Sequence, residues 1–475
     1  MSTFSFHAAV AAAQKQRVGH APNVHADHVP KSVLAAKLMK MYAWGWISGP
    51  LVQSIAEAAV TDGLRNPAVS QLAQVGTAGA HPQNTRRDIL RTVDSDVTLS
   101  SPAWVLVPCV SNGVVDELLH PILLPHELFH ALHDKYSAHF NRLLGSGPEH
   151  FWRHLDRADP RFLNNPVAER ADFESMGIPL TIHGDGAVYT TAHESLTSIQ
   201  RSMLQSSMGS CDDVFLMTCF SKSACARQDK HGVDTWQLLW KYIVASFVSL
   251  FHGTFPERNL SGQLFDPIDH HLDWARAGSQ LASAYYGIVW VVCADMEFIA
   301  VGLGYPHWQQ EYPCAFCRAG RRHCASIRDL RLAAPWKSDL ITEPMPDSDH
   351  FIWNTPRLSR VSCVYEWMHT VDLGIAPMTI GSILFDMMVD GPDSQAVNLS
   401  GVWSRVQDLY PELSVSKRIK GVSKDMVGGV SCYASLTKRR AAELRALVPV
   451  MKKIAVENDD GSDRDGHRVL MYDAL

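Results

Sequence analysis

The chain has 475 residues, 46% of them hydrophobic, and a formal net charge of -6 with a pI near 6.4. That is ample material for a sizeable core and a soft prior of about three domains, and the acidic balance argues against a wholly basic nucleic-acid binder. No uninterrupted apolar run approaches the roughly 18 to 20 residues of a membrane helix, and the opening MSTFSFHAAVAAAQKQRVGHAP shows no compact apolar segment with a cleavage site, so a cytoplasmic or nuclear protein with no membrane partner is expected.

Residues 1–174 read as a mostly helical region with long loops. Pro30 to Met41 and Leu51 to Asp62 have helical periodicity, and Gly76 to Pro82 reads as a linker before a basic stretch, Asn84 to Arg91. No internal repeat and no defensible helix-turn-helix or paired zinc finger is present. This region does contain HELFH, in which His126, Glu127 and His130 match HExxH, with Glu149 placed where a third ligand follows in gluzincin aminopeptidases. Such a pattern gives zinc two histidines one turn apart and a Glu as general base. Against a zinc metallopeptidase, Pro125 puts the motif in the first helical turn. The apolar stripe Leu128, Leu132, Tyr136, Phe140 and Leu143 also leaves His126, His130 and His133 on the polar side, which favours a solvated face.

Gly177 to Tyr189, GIPLTIHGDGAVY, reads as a buried strand that ends with Asp185 between two glycines. Asp213 to Phe220 reads as a strand, Thr235 to Phe251 as a buried apolar helix, and Asp266 to Ala284 as a helix. Ile288 to Cys293 is a credible central strand, and Asp295 arrives as it ends. The ten cysteines do not resemble a disulfide framework, so reduced thiols are expected. Cys314, Cys317 and Cys324 form the tight cluster among them; the Cys-x-x-Cys pair is half of a structural zinc site, which Cys324, His323 or His369 could complete. Leu436 to Ile454 is helical, with Glu443 near its middle. Between Val415 and Lys453 ten Lys or Arg face two acids, Asp425 and Glu443, a local excess suited to phosphates. The acidic tail ENDDGSDRDG is expected to be disordered.

The order of these features resembles the CACTA (En/Spm-type) transposases and in particular their degenerate relatives in protist genomes. The residues that carry the likeness are Asp185 in its strand-turn, Asp295 followed by GYPHWQQEYPCAFC, then EWMHTVDLGIAPMTIGSIL from Glu366, then KRRAAELRALVP around Glu443. It covers roughly residues 175–455. The resemblance implies an α/β protein with an RNase H-like mixed sheet core, its first part at 175–305 and its last helix at 426–455. Between them an insertion at 306–425 would be stabilised by structural Zn on the Cys-x-x-Cys pair and the His369 segment, and the tail would occupy 456–475. It further implies an Asp185, Asp295, Glu443 triad that binds two Mg or Mn ions and cleaves and transfers DNA strands, with DNA and a second copy as partners, in the nucleus. Two departures imply a degenerate or truncated copy: Glu stands at 366 where the family usually has Asp, and the chain ends 32 residues after Glu443. An inactive transposon-derived DNA- or protein-binding chain is therefore a second alternative beside the peptidase.

Overall fold

The structure is a computed structural model, and it describes residues 32–43, 45–96, 100–162, 166–188, 195–204, 206, 213–228, 232–307, 309–321, 333–338, 350–427, 434–436, 439–459 and 461–474. It is a mixed α/β protein. Two compact units divide the chain: Met1–Thr181, Val188–Trp290 and Phe351–Leu358 form the first, and Ile182–Ala187, Val291–His350 and Ser359–Leu475 the second.

In the first unit the helices Val33–Ala43, Gly49–Thr61, Pro67–Ala73 and Thr85–Asp96 enclose a small core of Leu38, Val52, Ala56, Val69, Leu72 and Ile89. The expected linker at 76–82 is a tight turn within that bundle, and the Asp88 carboxylate accepts a bond from the Gly76 amide at 3.0 Å. A two-stranded antiparallel hairpin follows, β1 Ala103–Ser111 and β2 Val114–Ile122, with Ser111 opposite Val114. Both loop residues have positive φ (Asn112 52°, Gly113 78°), the twist that a two-residue hairpin turn requires. The hairpin was not expected of this stretch, whose other described elements are helices. Three short helices, Pro125–Lys135, Ser137–Leu144 and Pro148–His154, come next.

A second, open sheet of five strands has the order β5-β4-β3-β6-β7, where β3 is Gly177–Val188, β4 Ser195–Met203, β5 Phe215–Ser221, β6 Tyr286–Ala294 and β7 Cys363–Tyr365. β4 and β5 are antiparallel, and β6 and β7 are parallel. Thr235–His252 forms the apolar helix expected of it. The Asp234 carboxylate caps its first turn by accepting from the Trp236 and Gln237 amides (2.7 and 3.1 Å), and Gly253 ends it in the left-handed region. The expected helix at 266–284 is confined to His271–Arg276, with turns on either side.

The core of the second unit joins the helices Ala376–Asp390, Gln395–Glu412, Ala441–Glu457 and Asp463–Ala474 through Ile380, Leu384, Val406, Leu409, Leu447, Val450 and Tyr472. The last of these helices corrects the expectation of a disordered tail: Tyr472 is buried in the core, and Arg468 reaches Asp386 at 3.3 Å. The stretch Met368–Asp390, 23 residues, is long and apolar enough by length and composition to cross a membrane. Half of its most apolar window is buried within the protein, as in a core helix.

Candidate metal centre

Along β3 the residues alternate with period two. Leu180, Ile182 and Gly184 are buried, while Thr181, His183 and Asp185 are half-buried on the other face. A Cβ on Gly184 would lie 2.2 Å from the Phe298 ring, so the strand approaches this ring as closely as only glycine permits.

Phe298 belongs to the helix Met296–Leu303, whose cap is Asp295. β6 is buried almost throughout, and its register delivers Asp295 as the first residue past the strand. One Asp295 carboxylate oxygen accepts from the Phe298 amide at 2.6 Å, which fixes the side chain while the other oxygen remains for a ligand. Parallel pairing sets Ala294 opposite Tyr365, and the Glu366 amide donates to the Ala294 carbonyl at 2.9 Å. Asp295 and Glu366 therefore leave the two strands side by side.

The chain then enters a π-helix, Met368–Ile375. His369 lies in its first turn, with its amide and its Nδ1 on Glu366 Oε2 at 3.2 and 2.5 Å. An ionised carboxylate only accepts, so Nδ1 is the donor of this pair and Nε2 is the ring atom left to face a ligand. Ligand atoms of Asp185, Asp295 and His369 all lie within 4.8 Å of one another, and the three residues are half-buried. Two carboxylates and an imidazole at that spacing suit a divalent cation, which would also relieve the repulsion between the carboxylates. Next to the site, burial first and then the Glu366 charge push the Cys293 thiol up, so it stays protonated and inert near neutral pH.

No protein-family model matches this chain, and none of the curated proteins compared with it is similar. The geometry alone supports a functional reading.

Glu443 is outside the cluster. It sits in the first turn of Ala441–Glu457, where its Oε2 accepts from the Arg440 amide at 3.2 Å. Two residues on, about 200° around the helix, Arg445 makes the bond to the π-helix: its Nε donates to Asp372 Oδ2 at 2.9 Å, and its Nη2 donates to the same oxygen. Cys314 and Cys317 are reduced cysteines in a loop fastened to β7, with Arg360 Nη1 donating to the Ala315 carbonyl at 2.6 Å and Phe316 edge-on to Tyr365. The Phe316 amide donates to Cys314 Sγ at 3.3 Å. His369, expected as a ligand beside these cysteines, meets the two aspartates instead; Cys324 and His323 lie outside the described residues.

The HELFH residues correct the solvated-face expectation. His126 is buried, its Nδ1 2.7 Å from Ser246 Oγ, and His130 Nδ1 is 2.6 Å from the Leu281 carbonyl. Arg276 holds Glu127 through both terminal guanidinium nitrogens, Nη1 and Nη2, and the exposed Glu149 pairs with Arg153 at 3.0 Å. Among the described residues these side chains form no ligand cluster, so the geometry gives the peptidase alternative no support.

Sequence reasoning missed the pairing of Glu366 with His369 and the place of His369 beside the aspartates. The readable signal for the pairing, though not for the placement, was Glu-x-x-His, a spacing that puts a carboxylate and an imidazole on one helical face.

Proposed function

We propose that this chain is a transposase-like enzyme that cleaves and transfers DNA strands at a divalent-metal centre built on Asp185 and Asp295. The observation that carries the reading is the convergence of these two carboxylates, far apart in sequence, one within β3 and one directly after the neighbouring β6. The strand order supports an RNase H-like core: counted from β3 it runs third, second, first, fourth, fifth, with antiparallel pairing of β4 and β5 on one side and the parallel pair β6 and β7 on the other. By the resemblance, the Cys314/Cys317 loop would be the zinc-bearing part of the insertion, while Glu443, which the resemblance makes the third acid, lies outside the group of Asp185, Asp295 and His369.

In phosphodiester cleavage a water oxygen bonds to phosphorus, the bond from phosphorus to the leaving oxygen breaks, and that oxygen takes up a proton. A bound divalent cation supplies an acidified water and neutralises charge on the leaving oxygen. The residues hold and orient: the amide of Phe298 fixes the Asp295 carboxylate, and β3 is seated against Phe298 through Gly184, with Asp185 beside that carboxylate. DNA fits the basic surface of the same unit. Lys417, Arg418, Lys420, Lys424 and Arg440 are exposed, and Arg439 ties the start of the Ala441 helix to the Gly421 carbonyl, which gathers these charges. A nuclear protein, with a second copy at the paired ends of its DNA, follows from this reading.

The test is cleavage of duplex DNA by the full chain in Mn2+, with Asp185→Asn and Asp295→Asn as controls. Cleavage that both variants abolish is expected. Equal cleavage by the variants refutes the site. A wild-type chain that retards duplex DNA but never cuts it would leave the inactive DNA-binding descendant as the function.

A further inference from the structure

We propose that the third protein ligand at this centre is His369, with Glu366 as its positioning residue, and that the site consequently selects Mn2+ and other borderline transition ions over Mg2+. The proposal rests on the reading of Asp185 and Asp295 as a cation centre and deepens it by naming the ion class.

Three observations converge. The His369 ring reaches the aspartates to within 4.8 Å, whereas Glu443 is not in the group. The Glu366 carboxylate, 2.5 Å from Nδ1, fixes both the ring orientation and the tautomer that leaves Nε2 free for metal. A carboxylate behind a ligating imidazole is the usual outer shell of a metal-bound histidine, and its loss typically costs 10- to 100-fold in affinity. Glu443 is engaged at the helix start, and Arg445 is the residue of that helix that bonds to the π-helix.

The choice of ion follows from the donor set. Mg2+ demands oxygen ligands in near-ideal octahedral geometry and gives up its waters reluctantly. An imidazole nitrogen replaces one of those oxygens here, and Mn2+ accepts mixed nitrogen and oxygen donors more readily. Glu366 in place of the resembled family's usual Asp fits the same arrangement, because the extra methylene lets its carboxylate fold back onto the ring three residues on.

The experiment measures binding rather than turnover. The full chain, stripped with a chelator, is titrated with Mn2+ while free Mn2+ is followed by its paramagnetic resonance signal, and Mg2+ is then added as competitor. One tight Mn2+ per chain is expected, displaced by Mg2+ only at large molar excess. His369→Ala should weaken Mn2+ at least about tenfold and Glu366→Gln roughly 10- to 100-fold, while Glu443→Gln stays within about twofold of wild type. His369→Asp, an all-oxygen set, should narrow the preference for Mn2+ over Mg2+. Far-UV circular dichroism reports whether each variant folds, and the near-isosteric Glu366→Gln provides a second test should His369→Ala not fold.

Mn2+ affinity unchanged in His369→Ala, or lost equally in Glu443→Gln, overturns the proposal. Retention of tight Mn2+ by Asp185→Asn instead refutes the cation centre itself. Tight, His369-dependent binding by a chain that never cuts DNA would refute the nuclease reading and leave the metal site standing.

Discussion

Gly184→Ala is the substitution that most directly connects backbone packing with the site. The added Cβ would meet Phe298 Cε1 and Cζ at 2.2 Å. The same ring also packs over Gly302, one turn on, where a Cβ would lie 3.1 Å from Cε2 and Cζ. Either β3 shifts away from the Met296 helix or the Phe298 side chain leaves its rotamer, and overpacking of this kind costs about 1 to 3 kcal/mol. Replacing Gly with Ala in an unfolded chain returns roughly 0.4 to 1 kcal/mol, so a net loss of about 1 to 2 kcal/mol is expected. Because Asp185 follows Gly184 and Asp295 caps the helix that carries Phe298, a shift of the strand also separates the two carboxylates, and Mn2+ affinity should fall together with stability. Gly186→Ala is the control, since its Cβ would meet nothing within 4 Å. Urea midpoints and Mn2+ titration of Gly184→Ala, Phe298→Leu and the double variant test the argument. A smaller ring site should absorb the new methyl, giving a coupling on the order of 1 kcal/mol in the double variant. Strict additivity, or a Gly184→Ala chain as stable and as metal-competent as Gly186→Ala, refutes the reasoning.

Four further outcomes follow from other parts of the structure. Burial pushes the Glu127 carboxyl up, but its hydrogen bonds and charge contacts with His126 and Arg276 outweigh that and hold it at about 2, below its ordinary 4.5. A depressed carboxyl stabilises the fold above its unfolded pKa and loses that contribution as pH falls from about 4.5 toward 2, a ceiling of about 3 kcal/mol; the urea-midpoint gap between wild type and Glu127→Gln should therefore shrink across that window. Asp372 is 2% exposed and paired with Arg445, so Arg445→Ala, which strands a buried carboxylate, should cost about 3 kcal/mol or more and exceed the loss in Asp372→Asn by thermal denaturation. Metal analysis of the purified chain should find zinc that is lost in Cys314→Ser and Cys317→Ser but kept in Asp185→Asn. Tyr472→Ala, which empties a fully enclosed site in the second unit, should lower stability by about 3 kcal/mol in the same thermal assay, whereas an irrelevant tail would tolerate it.

The elements legible in the sequence were those whose burial is written locally. β3, β6 and the Thr235–His252 helix announce themselves through alternation, a continuous apolar run and matched caps at Asp234 and Gly253. The β1-β2 hairpin was obscured because β2 exposes Asp116 and Glu117, consecutive charged residues on its two faces, although Asn112-Gly113 between apolar runs was a usable turn signal. The tail was misjudged from composition alone; Arg468 and Tyr472, four residues apart on one helical face, meet the second unit's acids and core respectively. The His369 placement was illegible for a different reason. It depends on β7 pairing in parallel with β6 in one register, a long-range fact that no local pattern of Glu366 to Ile375 encodes.

The π-helix supplies the last link between sequence and site. The Ala376 amide bonds to the Val371 carbonyl, five residues back, and such widened turns are uncommon and concentrate at functional sites. Gly374 suits this one: a Cβ there would sit 3.0 Å from the His369 carbonyl oxygen. Asp372 is buried in the same turn and secured by Arg445, while Glu366 secures the ring of His369 at the other end. The segment is thus fastened on both sides of its widened turn, one fastening to the Ala441 helix and one to the end of β7. A turn held that way keeps the imidazole beside two strand ends without relying on the metal to draw it there. A flexible loop carrying the same histidine would have to be ordered anew at each binding event, at a cost in conformational entropy of about 1 to 2 kcal/mol per residue fixed.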